Sequence, residues 1–365
     1  MKILKQIIYV IAVIFIIAFL FCKLWLPLGA KADKERQNEY QKRAKNYQKN
    51  RFKNLKSFQM IYRVEKGQKD HILSQKKVIP QDNIPIQTPS LLKVLNKQAF
   101  TVTWLGHSSL LLQMHGLHIL CDPVFSLRTS PVSFIGKKRF SALPLAIKDL
   151  PTIDIVMISH DHYDHLDYKT IKAIDKKVKY YVVPLGIENH LERWHIDSKK
   201  IISMAWWEKR QINGLTVVCT PARHYSIRNL DNGYCSLWSS WLLKDEYHQI
   251  FFSGDTGYDH HFCNIYQHYG AFDLVMMDCG QYDLRWKDTH MNPEQSYQAA
   301  KDLHAKNMLP IHWGAYRLAN HPWDDPIERL MQVQDETVHI LTPMIGQTFD
   351  LENIPLFLKW WEKIR

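Results

Sequence analysis

The sequence lacks the cysteine patterns that organise many small domains. Its six cysteines, in a chain of 365 residues, form no CxxC pair and show no regular spacing, and most lie within or beside apolar runs. Neither a disulfide framework nor a cysteine zinc site is therefore indicated, and the positions are typical of free, buried thiols. An internal repeat of fixed period is also missing, so the pattern does not indicate a repeat architecture.

Recognised nucleic-acid-binding motifs are absent too, although the formal net charge is +11. Much of this charge precedes residue 57, at Lys31, Lys34, Arg36, Lys42, Arg43, Lys45, Lys49, Arg51, Lys53 and Lys56. Such an arm beside a membrane segment favours anionic lipid headgroups, and a solvated charged helix explains it equally well. We therefore expect no nucleic-acid partner, whereas the oligomeric state is not indicated.

The N-terminus contains a long apolar run. Residues 7–22 carry no charged side chain, and the apolar character resumes after Lys23. This length suffices to cross a bilayer, so residues 1–28 are predicted to be an uncleaved, single-pass anchor at the cell membrane. A cleaved signal peptide is the alternative, because Ala30-Lys31-Ala32 resembles a cleavage site. The more numerous cations after the run favour a cytoplasmic catalytic domain.

The rest of the chain divides into three parts. Residues 29–95 are predicted to form a charged helix, over 33–57, and an irregular lead-in. Residues 96–350 are predicted to be the catalytic domain, and residues 351–365 a C-terminal tail. In the catalytic domain, short apolar runs first pair as a hairpin and then alternate with helical stretches. This order predicts a mixed sheet layered with helices, an α/β (α+β) fold.

The sequence is organised around residues 159–167, which offer three imidazoles and up to three carboxylates directly behind a predicted buried strand. His160 and His162 project to the same side in extended backbone. Neutral imidazole suits Zn²⁺ and carboxylate suits hard or borderline divalent ions, so the motif predicts a metal site. The alternative is a polar loop with stray histidines, which requires a very dense pattern to arise by chance.

Further polar residues follow other predicted strands, at His224, Asp255, Asp278 and His312. Each of them alone is typical of a hydrogen-bonded residue or a tight turn. If these strands share one sheet, their ends converge on the cluster around His160.

At these residues the chain resembles the metallo-β-lactamase-fold hydrolases, whose hallmark HxHxDH is present as His160, His162, Asp164 and His165. The resemblance is closer to the N-acylphosphatidylethanolamine-hydrolysing phospholipase D branch and its bacterial relatives. The matching stretches are 104–108, 122–126, 158–167, 184–186, 206–208, 236–238, 254–258, 290–294 and 311–314. The resemblance implies a four-layered αββα metallo-β-lactamase sandwich.

The same resemblance implies two Zn²⁺ ions per chain. One takes His160, His162 and His224, and the other takes Asp164, His165 and His312, with Asp255 bridging both. Such a pair can hold a bridging hydroxide as nucleophile and stabilise the leaving oxygen of a phosphodiester. Asp122 and His107 are expected to orient ligands, and His290 to lie near the substrate phosphate or to act as an acid.

These features predict a membrane-associated zinc phosphodiesterase that releases phosphatidic acid from a phospholipid such as N-acylphosphatidylethanolamine. A lactonase or another carbonyl hydrolase on the same metals is one alternative, because a fold does not fix a function. A non-catalytic, metal-containing lipid-binding protein is the other.

Two departures from the family pattern leave the substrate open. Arg223 stands where the family often has Gln and adds a cation beside the metals, and residues 280–286 keep only part of the pattern. Six aromatic side chains are candidates either for an acyl-chain groove or for core packing, namely Trp206, Trp207, Trp238, Trp241, Tyr282 and Trp286.

Overall fold

Two facing β-sheets form the centre of the protein in the computed structural model, which describes residues 2–58, 60, 78–91 and 97–364. The helices are α1 (Lys2–Leu24), α2 (Lys34–Arg43), α3 (Tyr168–Ile174), α4 (Ile187–Arg193), α5 (His261–Tyr269), α6 (Pro293–Asp302) and α7 (Asp325–Val333). The strands are β1 (Tyr47–Gln48), β2 (Arg51–Phe52), β3 (Thr101–Trp104), β4 (Leu110–Met114), β5 (Leu117–Cys121), β6 (Ile153–Met157), β7 (Val178–Pro184), β8 (Ile201–Met204), β9 (Lys209–Ile212), β10 (Leu215–Thr220), β11 (Ser240–Lys244), β12 (Gln249–Phe252), β13 (Phe272–Asp278), β14 (Ala305–Ile311), β15 (His339–Ile340) and β16 (Thr348–Asp350).

Each of the two sheets has seven strands and changes from antiparallel to parallel pairing along its width. The first sheet has the order β16-β3-β4-β5-β6-β7-β8 and becomes parallel from β5 onward. The second has the order β15-β14-β13-β12-β11-β10-β9 and is parallel between β12 and β15. The strands before His160 and Asp255 therefore lie in different sheets. They do not share one sheet, which was the condition given above for their ends to converge on the cluster around His160.

Strand β6 illustrates how the layers are held together. All five of its residues are buried, because the strand is covered on both faces. Ile155 and Met157 belong to the core between the two sheets, whereas Val156 packs with Ile171 and Leu191 of the helices on the other side. With α5, α6 and α7 against the second sheet, the layers form a mixed α/β sandwich, which confirms the predicted fold class.

The N-terminal segment differs from its prediction. Helix α1 forms, but among the described residues no helix combines the length and apolar character that crossing a membrane requires, so the predicted transmembrane anchor is not supported. The charged helix spans only Lys34–Arg43, because the chain then turns into the β1–β2 hairpin. Its arginines are paired with the catalytic domain: Arg36 with Glu192 and Arg43 with Glu208, each at 2.7–2.8 Å.

The C-terminal residues pack into the sandwich. Trp360 and Trp361 are 3% and 0% exposed. The Trp360 ring lies 5.5 Å from that of Trp313, which in turn stacks on Trp104 at 5.3 Å. Trp313 directly follows His312, so this tryptophan cluster packs beside the end of β14.

A buried carboxyl group in α4 gives the fold a pH dependence. Burial raises the pKa of Glu188 from 4.5 to about 7, where the Tyr40 hydroxyl and the Gly186 N–H donate hydrogen bonds to it. Between these two pH values the folded chain holds a proton that the unfolded chain releases. The free energy of unfolding contributed by this group therefore falls as the pH rises from about 4.5 to 7.

Replacing Glu188 by Gln is expected to remove this loss of stability with rising pH. Relative to wild type, the variant gains stability at pH 8 by at most about 3 kcal/mol, and this gain shrinks towards pH 5. Urea unfolding at both pH values measures it, with the exposed Glu39→Gln as the matched control. A difference from wild type that is the same at both pH values would contradict the prediction.

Candidate metal centre

The polar side chains singled out in the sequence follow strand ends from both sheets. The HxHxDH loop follows β6 of the first sheet, while His224, Asp255 and His312 follow β10, β12 and β14 of the second. Five of the seven predicted ligands are at most 3% exposed: His160, His165, His224, Asp255 and His312. The carboxyl edges of the two sheets thus meet at one buried cluster.

Among the described residues of this cluster, nitrogen and oxygen donors form four overlapping groups, in each of which the atoms lie within 4.8 Å of one another, and two of these groups divide the predicted ligands between them. The first group contains His160, His162, His224 and Asp255. The second contains His107, Asp164, His165 and His312. All seven predicted ligands are brought together in these two sets. His107, which we expected only to orient ligands, lies among them, with its Nε2 2.9 Å from Asp164 Oδ2.

One oxygen atom joins the two groups. Asp255 Oδ2 lies 3.1 Å from His165 Nε2 and 3.4 Å from His312 Nε2. It also lies 3.7 Å from His160 Nε2 and 3.8 Å from His224 Nε2. Asp255 therefore stands between histidines of both sets.

Three of the histidines are oriented by partners outside the two groups. The Nδ1 of His165 lies 2.7 Å from Asp122 Oδ2, and that of His312 lies 3.2 Å from Asp278 Oδ1. The Nδ1 of His224 lies 2.9 Å from the Thr289 carbonyl oxygen. A proton on each Nδ1 leaves the Nε2 lone pair directed into the cluster, which is the arrangement found around metal-bound histidines.

Several atoms in the centre of the cluster have no hydrogen-bond partner among the described residues. They are the Nε2 atoms of His160, His162 and His165, together with Asp255 Oδ1. A buried polar atom without a partner costs about 1–3 kcal/mol. Four such atoms converging on one place fit a metal centre, because a cation satisfies them together.

The pKa values of the histidines also fit a metal centre. Burial lowers the pKa of His160, His162 and His224, so these rings are neutral near pH 7 and can donate lone pairs. Although burial opposes it, the Asp255 and Asp164 carboxylates raise the pKa of His165 and bring that of His312 to about 10. These carboxylates thus attract positive charge at the positions where a metal ion would bind.

The backbone around the cluster is held in an uncommon conformation. His107, Asp122 and His312 have φ angles of 56°, 37° and 67°, in the left-handed region that side chains other than glycine rarely adopt. Gly254, directly before Asp255, has a φ of 56°, and a Cβ there would lie 2.5 Å from the Cβ of Ser159. Strain of this kind persists where the surrounding structure enforces it, and it is concentrated at functional sites.

Arg228 links the HxHxDH loop to the N-terminal segment of the chain. Its guanidinium donates to the carbonyl oxygens of Asp161 and Leu166, at 2.6 and 2.8 Å, and to that of Pro27 at 2.9 Å. It also lies over the Tyr163 ring, 4.2 Å from the ring centre. The segment after α1 is therefore tied to the loop that carries four of the predicted ligands.

For two neighbours of the cluster, the contacts in the structure differ from what the sequence indicated. Asp278 was noted only as a residue after a strand, but its carboxylate contacts both His312 and His290, the latter at 3.1 Å. Its position at the end of β13 was the available signal. Arg223 does not point at the cluster as a free cation, since its guanidinium donates to Tyr258 O and lies 3.4 Å from Asp288.

Three of the six aromatic side chains that were candidates for an acyl-chain groove or for core packing belong to the core. Trp206, Trp238 and Trp241 are 9%, 0% and 0% exposed and belong to the main hydrophobic cluster, so the packing alternative is correct for them. Trp207 is 36% exposed. Tyr282 lines a cavity of about 590 Å³ that begins at His290.

A fold of this kind with a buried histidine–aspartate centre defines a class of proteins. The family described as "Beta-lactamase superfamily domain" matches residues 118–313, and the chain belongs to this superfamily, as a metal-dependent hydrolase. An uncharacterised protein of Mycobacterium tuberculosis is 39% identical over 287 residues, 77% of each chain.

Two further similarities are more distant. The N-acyl-phosphatidylethanolamine-hydrolyzing phospholipase D 1 of Caenorhabditis elegans is 33% identical over 280 residues, 73% of this chain and 78% of that protein. A solved metallo hydrolase from the archaeon Ignicoccus hospitalis has a TM-score of 0.53 at 19% identity, covering 69% of this chain and 98% of its own. The latter similarity shows a shared fold.

Proposed function

We propose that the protein is a phosphodiesterase of the phospholipase D type that hydrolyses N-acylphosphatidylethanolamine or a related phospholipid at a dinuclear zinc centre. The observation that carries this proposal is the position of Asp255 between two sets of donors, within 3.8 Å of a histidine from each. The name of the C. elegans relative, which this chain covers over 78% of its length, supports the choice of substrate class.

In this proposal the two donor groups hold one ion each. The first ion would be held by His160, His162 and His224 and the second by Asp164, His165 and His312, and the Asp255 carboxylate would be available to both. Two divalent ions at such a centre activate a water molecule and stabilise the leaving oxygen of an in-line displacement at phosphorus. Imidazole nitrogens and carboxylate oxygens are donors that suit zinc.

His290 is the candidate for contact with the substrate phosphate or for protonation of the leaving group. Its side chain is 11% exposed, between the buried cluster and the adjoining cavity. Its Nδ1 lies 3.1 Å from Asp278 Oδ2, so this carboxylate can fix the ring while the other nitrogen serves the substrate. The cavity is lined by Tyr282, from the region where the sequence departs from the family pattern, and by Lys287 directly after that region.

The proposed substrate places the site of action at a membrane. The described side chains of α1 support lipid contact, since Ile8 and Phe15 are 58% and 71% exposed.

Metal analysis and product analysis together test the proposed reaction. Purified protein is expected to contain about two zinc equivalents per chain. After incubation with a mixed phospholipid extract, mass spectrometry is expected to detect phosphatidic acid and N-acylethanolamines, and chelation is expected to abolish both. Full activity in metal-free protein would contradict the proposal. Turnover of lactones without turnover of bis-p-nitrophenyl phosphate would instead identify a carbonyl hydrolase.

A further inference from the structure

A hairpin-like segment, residues 126–139, presents apolar side chains to solvent. Arg128 and Lys138 face each other across it in an antiparallel bridge. The tip residues Phe134 and Ile135 are 75% and 61% exposed, and Leu127 is 56% exposed. Apolar side chains grouped in this way on a surface mark an interaction site.

The charge of this hairpin segment is of one sign. It contains four cations and neither Asp nor Glu. Arg139 is buried and serves the fold, since it donates to Val124 O at 2.8 Å and lies over the Tyr316 ring. Lys137 and Lys138 are exposed beside the apolar tip. The surface therefore complements a partner that is apolar within and anionic at its border.

An apolar groove extends from this surface to the HxHxDH loop. It measures about 860 Å³ and lies between the hairpin segment and the end of α1, with Phe21, Trp25 and Phe134 in its walls. The Trp25 indole N–H donates to Pro131 O at 2.7 Å and joins the two walls. Tyr163, which lies inside the HxHxDH loop, also lines the groove. A lipid held here would lie next to that loop.

We propose that the hairpin segment docks the catalytic domain on an anionic lipid surface. Phe134 and Ile135 enter the boundary between headgroups and acyl chains, and Lys137 and Lys138 contact the anionic headgroups. Apolar residues flanked by lysines are the combination by which proteins bind the membrane interface. The inference rests on the proposed action on a phospholipid and adds the surface through which the chain meets its substrate.

Vesicle binding by the full chain tests this surface. The variants are Phe134→Ser with Ile135→Ser, and Lys137→Gln with Lys138→Gln. Matched controls outside the hairpin segment are Leu356→Ser, at a leucine that is 93% exposed, and Lys209→Gln, at an exposed lysine. Because α1 is present in every variant, its own affinity for lipid cancels in the comparison.

The expected results separate the apolar and the charged contributions. On phosphatidylcholine vesicles with added phosphatidylglycerol, the lysine variant is expected to bind about fivefold more weakly for each lysine removed, and to bind neutral vesicles as wild type does. The tip variant is expected to bind both kinds of vesicle more weakly. In wild type, hydrogen exchange of residues 127–138 is expected to slow when vesicles are added. Hydrolysis of soluble bis-p-nitrophenyl phosphate is expected to stay unchanged in all variants.

Other outcomes would overturn the inference. Wild-type binding by both variants, with unchanged exchange over residues 127–138, would exclude lipid docking here. A dimer of the wild-type chain that the tip variant dissociates, without a change in vesicle binding, would show that a second copy covers the surface. Failure of the proposed reaction is a separate result: wild type would then cleave no phosphodiester, while the variants would still lose vesicle binding.

Discussion

Replacing Asp255 by alanine is expected to abolish hydrolysis and to lower the metal content from about two equivalents per chain to one or none. The reason is geometric, since Asp255 Oδ2 lies 3.1–3.8 Å from four histidine nitrogens that belong to both donor groups. Residues that merely orient ligands contribute about 10- to 100-fold to activity or metal affinity, so loss of a shared ligand should exceed about 100-fold.

Elemental analysis of the purified variant and turnover of bis-p-nitrophenyl phosphate measure this effect. Asp149→Ala, which removes an exposed carboxylate from a short helical turn, is the matched control and should leave both values unchanged. An Asp255→Ala protein with two bound ions and normal turnover would show that the cluster works without a shared carboxylate.

Trp361→Ala is expected to destabilise the protein strongly and should lower the free energy of unfolding by about 3–5 kcal/mol. The Trp361 side chain is 0% exposed and lies with its ring centre 5.8 Å from Trp360 and 6.3 Å from Trp313. Its indole N–H also donates to Glu328 Oε1, which would be left without this partner. The substitution therefore leaves a cavity near the end of the chain and removes one hydrogen bond to Glu328 Oε1.

Urea denaturation of the metal-loaded protein measures this change. Leu356→Ala, at a side chain that is 93% exposed, provides the control and should shift the free energy by no more than about 0.5 kcal/mol. A Trp361→Ala shift as small as that of the control would mean that the C-terminal residues do not contribute to the stability of the sandwich.

The central strands were predictable because their apolar runs are covered on both sides. Strands β10 (Leu215–Thr220) and β6 (Ile153–Met157) both coincide with predominantly apolar runs of the sequence. Strand β9 was missed because three of its four residues, Lys209, Arg210 and Gln211, are exposed at the sheet edge and show no apolar pattern. Edge strands of this kind carry charge that suppresses aggregation, which also removes the sequence signal.

The charged segment before the catalytic domain was predicted as too long a helix for a different reason. The absence of glycine and proline from residues 33–57 does not distinguish a helix from a short hairpin. Lys49 and Asn50 form the hairpin turn with φ angles of 51° and 58°, and Tyr47 and Phe52 then pack on Tyr40. Only this tertiary contact explains why the helix ends at Arg43.

The candidate site was predictable as a set of residues but not as an arrangement. Each predicted ligand follows an apolar run, and this position is visible in the sequence. The contact of Asp278 with His312 depends instead on the register between β13 and β14, in which Asp278 pairs with Ile311. The register of a parallel pairing between two strands joined through a helix cannot be read from either strand alone.

The division of the cluster between two sheets has a thermodynamic consequence. His160 and His162 follow a strand of the first sheet, whereas His224 and Asp255 follow strands of the second. An ion bound to these four residues has its full coordination only while the sheets are packed together. Its binding free energy is then added to the free energy of folding by mass action, so the resistance of the sandwich to heat becomes a function of the concentration of the free metal ion.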